Sequence, residues 1–222
     1  MAQQRYVIYR NIHKTIRHIM YTTALALGSA DFRDQKTMRE SLEQLRGTIT
    51  MLQEHAEHEE TFVHPPLESR VPGITKSFEQ NHEDDNRLFD RMRELGSQIE
   101  AAGDNDQRVD LGNQLYGIFN TYIGDYLGHL DREEAELEQA LWDHFTDQEL
   151  ADIDHELMSS IPPERMAVWV PVICNSWNAS ELTAILAGMK QSAPPEAFAG
   201  MLSMMEQATP PATWQTVRRA LG

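Results

Sequence analysis

Two pairs in the chain set an imidazole four residues ahead of a carboxylate: His55 with Glu59 in QEHAEHEETF, and His129 with Glu133 in YLGHLDREEAELE. On a helix, residues four apart stand one above the other on a single face, so each pair aims a nitrogen and an oxygen at one point. His13 precedes the first pair by one helix-turn-helix, and His82 precedes the second in the same way. Each half of the sequence thus offers a lone His and a His-x-x-x-Glu, a weak internal repeat that implies a pseudo-two-fold axis between two metal positions. With all six residues at one depth, each ion receives two histidine nitrogens, and Glu59 and Glu133 serve as shared bridges. One oxo or hydroxo bridge from solvent then makes each ion five-coordinate, with a position left open on each. Cys174 is the single cysteine, so any metal here is held by nitrogen and oxygen, a donor set that suits iron, manganese or zinc.

Other polar residues compete with this set. His18 lies five residues past His13 and points well away from it, whereas His58, three past His55, reaches the same face. His55 is preferred because it alone has Glu four residues later on the apolar line. His64 precedes two prolines and reads as structural, and His144 and His155 read as solvent-facing. Asp84 and Asp85 beside His82 are candidates to accept a hydrogen bond from a ligand imidazole, with a solvated acidic face as the competing reading. Glu134 is expected outside. Tyr126, three residues before His129, reads as core filler or as a hydrogen-bond donor to bound oxygen.

These residues need long helices to place them. Ile8, Ile12, Ile16, Ile19, Thr23 and Leu27 recur at three or four and predict a helix over 6–27, stopped by Gly28 and Ser29. Asp34 caps a second helix whose apolar line, from Met38 to Ala56 and Val63, runs beside His55, with Pro65 and Pro66 expected to end it. A third helix is expected over 75–102, carrying Phe78, His82, Asp85, Phe89, Met92 and Ile99 on one side. After a break at Gly103, Asp104 and Asn105, a fourth begins near Asp106, with Leu115, Phe119, Tyr122, Tyr126, His129, Glu133, Leu137 and Ala140 in line. Ionisable groups on a core-facing stripe are costly unless paired or metal-bound, which makes those positions informative. Four long helices with short connections predict an all-α fold, an up-down-up-down four-helix bundle over 1–145. Residues 146–222 are expected to form a C-terminal extension of short helices packing on the bundle. It opens with a Thr146 to Glu149 capping box and a helix over 147–160, then continues as helices near 164–175, 180–190, 195–208 and 213–221.

Charge and composition exclude other classes. The formal net charge is −16, with nineteen Lys and Arg spread without a block, which argues against nucleic acid and against an anionic membrane surface as partners. No apolar run approaches the ~18 residues of a spanning helix. The opening MAQQRYVIYR lacks the pattern of a secretory signal. A cytoplasmic protein is expected.

The segments HKTIR, HAEHEETFVHPPLE, NHEDDNRLF and HLDREEAELEQALWDHFTDQEL resemble the hemerythrin-like, or HHE cation-binding, family over residues 12–145. The resemblance implies a non-haem diiron centre in a four-helix bundle, with ligands at His13, His55, Glu59, His82, His129 and Glu133. Oxygen-carrying members have His-x-x-x-His on the third helix, where this chain has Asn86 in the second place, and an aspartate five residues after the last histidine, where this chain has Glu134. The set instead resembles the four-His, two-Glu branch, which includes iron-sulfur-repair proteins and an iron-sensing ubiquitin-ligase subunit. The function expected is binding or reduction of O2, peroxide or NO at two irons, each with an open position. The alternatives are a non-enzymatic iron or oxygen sensor stabilised by its metal, and a diiron oxygenase or oxidase acting on an organic substrate. Carboxylate-rich ferritin-like sites use Glu-x-x-His and match less well. The C-terminal helices are expected to cover the site or to form a homodimer.

Overall fold

The computed structural model describes residues 5–222, apart from the side chain of Ser192; the sequence reading of Met1–Gln4 falls outside the described residues. Every regular element among them is helical. Contacts divide the chain into two units, one of residues up to Tyr9 with Ile19–Leu157, the other of Arg10–His18 with Met158–Gly222.

The first unit is the bundle. Helix α1 (Tyr9–Ser29), whose stretch Arg10–His18 is counted with the second unit, starts three residues later than periodicity predicts, because the residues before it are spent on tertiary bonds. Arg5 donates to Asp147 and to the carbonyls of Trp142 and Phe145, each at 2.7 Å. The buried carboxylate of Glu138 accepts the amides of Ile8 at 2.9 Å and Tyr9 at 3.0 Å. It thereby satisfies donors that a helix start leaves orphaned and puts negative charge at the positive end of the dipole.

Helix α2 (Gln35–His58) is capped by Asp34, which accepts from the Thr37 amide as expected. The helix does not stop at the prolines. It widens into a π-helical turn, Glu59–Val63, and resumes as α3 (His64–Arg70) with Pro65 and Pro66 in its first turn. The His64 amide reaches back five residues to the Glu59 carbonyl. The widened turn explains the continuation: the two prolines occupy a first turn, where their missing donors cost little and their fixed φ suits the helix.

Helix α4 (Lys76–Ala101) lies within a residue of its expected span, and α5 (Asn105–Arg132) starts within a residue of its expected start but ends before the line expected to run on to Ala140. A second π turn, Glu133–Leu137, follows α5 and leads into α6 (Glu138–His144). Helix α7 (Asp147–Ser160) opens on the expected box, with the Thr146 amide donating to Glu149 at 2.8 Å and the Glu149 amide returning to the Thr146 hydroxyl at 3.3 Å. Val63, Leu67, Phe78, Leu137, Leu141 and Leu150 close the end of the bundle beyond the π turns.

In the second unit, α8 (Pro163–Ser176), α9 (Ala179–Ser192), α10 (Pro195–Ala208) and α11 (Pro211–Leu221) bury Val170, Cys174, Leu182, Leu186, Met205, Trp214 and Val217. Proline opens three of them, where its preset φ suits a first turn. Lys14 pairs with Glu181 at 2.6 Å, and Trp177 donates to the Thr15 hydroxyl at 3.0 Å.

Candidate metal centre

Six residues singled out by spacing are buried: His13, His55, Glu59, His82, His129 and Glu133 are each no more than 4% exposed. α1 is one unbroken helix with both ends in the bundle, and His13 sits in its second turn. The ligand-type atoms of His13, His55, Glu59 and Glu133 lie within 4.8 Å of one another, and so do those of Glu59, His82, His129 and Glu133. The two groups share both carboxylates.

The spacings suit cations. His55 Nε2 is 3.1 Å from Glu59 Oε1 and His129 Nε2 is 2.9 Å from Glu133 Oε1. His82 Nε2 is 3.5 Å from Glu59 Oε2 and 3.2 Å from His129 Nε2. Donors held about 2.1 Å from one ion at angles near 90–110° stand roughly 3.0–3.4 Å apart. Two imidazole nitrogens meeting in a dry interior need a proton or a cation between them, and the adjoining carboxylates favour positive charge there. The donor sets therefore fit a metal cation.

Glu60 fixes the orientation of one of these rings. It accepts from His82 Nδ1 at 2.8 Å, and a proton on Nδ1 leaves the Nε2 lone pair facing inward. The sequence offers Asp84 and Asp85 as candidates for that role, with a solvated acidic face as the competing reading. Asp84 instead bonds Arg87 on the surface, and Asp85 turns partly inward, where burial pushes its carboxyl up to about 7. Burial, and next the facing His129 ring, lower the pKa of His82.

Aromatic rings extend the site along α5. Tyr126 stacks on His129 and Tyr122 on Tyr126, both with centroids 5.1 Å apart. Tyr9, Tyr122 and Tyr126 are buried, which holds their phenols far above the usual range and keeps them neutral. His64, read as structural, is buried and lies parallel to His82 at 6.1 Å. Burial lowers its pKa, so it sits beside the site as a neutral ring. His58 faces Phe62, and His144 and His155 are exposed as expected.

Sequence reasoning missed the two π turns, although they begin at Glu59 and Glu133. A signal was present. The inward positions run 55, 59, 63, 67 and 129, 133, 137, 141, a strict spacing of four that overshoots a straight α-helix by roughly 40° at each step. One widened turn takes up that overshoot and keeps the line on the core.

No helix of the described residues is long and apolar enough to cross a membrane. A family model described as the Hemerythrin HHE cation binding domain matches residues 5–155. The chain is also similar to Zinc finger protein BRUTUS of Arabidopsis thaliana, 24% identical over 195 residues. That match covers 86% of this chain and 15% of the plant protein, so the chain spans a small part of that relative's length.

Proposed function

The chain belongs to the hemerythrin HHE cation-binding family, and from that premise we propose that its bundle holds two non-haem irons and binds or reduces O2, peroxide or NO there. His13 and His55 would serve one ion, His82 and His129 the other, and Glu59 and Glu133 both. The observation that carries the reading is that the two buried donor groups have both carboxylates in common. The iron pair, when bound, supplies the electrons for a small oxidant. The chain's own residues do the rest. Glu60 orients His82 through Nδ1, while the Tyr126 ring covers His129 and keeps bulk water from that side.

Metal analysis with an absorption spectrum of the purified protein tests the assignment. Two irons per chain with oxo-to-iron charge-transfer bands are expected; one zinc per chain, or no metal, overturns it.

A second reading is a metal-dependent sensor. Four imidazoles and two carboxylates in a bundle interior destabilise the metal-free fold, so metal affinity becomes folding free energy. Peroxide turnover by the iron-loaded protein favours the first reading; a large gain of helicity on metal binding without turnover favours the second.

A further inference from the structure

A slot about the size of one water molecule lies between α2, α4 and α5, against the ring of His82. Leu52, Ala56, Phe89 and Tyr126 make its apolar walls, and Asp85 lies on its α4 side. Two amides form its outer rim. Gln53 Nε2 donates to Asn86 Oδ1 at 2.6 Å, and Arg93 donates to Gln53 Oε1 at 2.5 Å, so the Gln53 amide is held at both ends. Asn86 is exposed and Gln53 half-buried, which puts the amide pair between solvent and the ligand imidazole.

We propose that this slot is the port to the metal pair and that Gln53 and Asn86 set its selectivity, admitting neutral molecules of two or three heavy atoms and excluding organic substrates. The proposal rests on the diiron reading and narrows its substrate class. Size is the first argument: a space that holds one water passes a diatomic or hydrogen peroxide with small side-chain movement, whereas an aromatic or branched molecule needs the amide pair broken and the α2–α4 seam opened. Charge is the second. The rim is neutral, Asp85 stands behind it, and the chain carries a net charge of −16, so an anion meets repulsion and finds no cation free to receive it at the rim, since Arg93 is engaged by Gln53 and Asp90. An oxygenase acting on an organic substrate does not fit this approach.

Asn86→Ala and Gln53→Ala test the port, because both side chains lie outside the ligand set and on helix surfaces where alanine is well tolerated. Stopped-flow association of NO and of nitrosobenzene is measured on reduced protein verified to hold two irons. In the parent, NO binds and nitrosobenzene does not. In the variants NO association rises at least threefold and nitrosobenzene binds, with iron content and helicity unchanged. Nitrosobenzene binding to the parent, or NO rates unchanged in both variants, overturns the proposal. A metal-free measurement separates it from the diiron reading: carbethoxylation of the neutral His82 ring, which lines the slot, by diethyl pyrocarbonate, mapped by mass spectrometry, rises at least threefold in the variants while exposed His155 reacts equally. Failure to take up iron sinks the diiron reading alone; equal His82 carbethoxylation sinks the port.

Discussion

Glu60 is exposed and next in sequence to a proposed ligand, yet its carboxylate decides which nitrogen of His82 carries the proton. Removing it frees the ring to turn and to take the other tautomer, so Glu60→Ala is expected to lower metal affinity about 10- to 100-fold, read by competition with a chelator. Glu60→Gln, which keeps an acceptor oxygen, should recover part of the loss. The proposed ligands themselves behave differently: Glu59→Ala and His129→Ala are expected to lose metal and helicity, whereas exposed His155→Ala changes neither. Equal metal loading in all three contradicts the ligand set. At this scale the sequence was legible where spacing along one helix carries the meaning, as for His55 with Glu59 and His129 with Glu133. Glu60 was not, because its partner lies on another helix 22 residues away and nothing in the local pattern gives that distance. His64 illustrates the same limit: two prolines after it suggest a helix end, but the helix resumes and lays its ring parallel to His82.

At the scale of elements, the helices were legible to within a few residues because caps and prolines mark their ends, as Asp34 and Asp104 do. The π turns were hidden by the assumption of a uniform 3.6-residue period. Their place at both shared carboxylates is in keeping with the frequent use of such turns at functional sites. Deleting Thr61 should return the first of them to α-helical register and rotate Val63 and Leu67 by about 100° out of the core. Exposing two such side chains costs about 3–6 kcal/mol. At about 2–4 °C per kcal/mol for a chain of this size, the thermal midpoint is expected to fall by about 6–24 °C. Inserting a residue elsewhere cannot compensate, since the register error begins at Glu59. An unchanged midpoint would show that the extra residue is not what keeps the line facing inward.

Across the whole molecule, stability should respond to pH through Asp85. Its carboxyl is raised from 3.8 to about 7, with burial the largest cause. The folded state therefore holds a proton between those values that the unfolded chain has released, and its stability contribution, full below about pH 4, is lost as the pH climbs through about 7. The slope from this group is at most about 1.4 kcal/mol per pH unit. The buried imidazoles of His64 and His82, whose pKa values are lowered, act in the opposite sense: they are neutral when folded, so stability falls as acid charges the unfolded chain. The two effects are separated by difference. Metal-free Asp85→Asn should gain stability over the parent at pH 8 and much less at pH 5 in urea titrations; a gain independent of pH would remove Asp85 as the cause.

The bonds that seat the start of α1 join residues about as far apart as this bundle allows. Glu138 takes the amides of Ile8 and Tyr9, Arg5 reaches Asp147, and Tyr6 reaches Asp154, spans of 129 to 148 positions. During synthesis the first helix can coil early, but it has nothing to dock its leading end against until the last strut has cleared the ribosome. Closure of the bundle is then a late, long-range event, slow by the measure of contact order. Nascent chains halted short of Glu138 should remain open to protease at α1, and those released past Asp154 should become resistant together along their whole length.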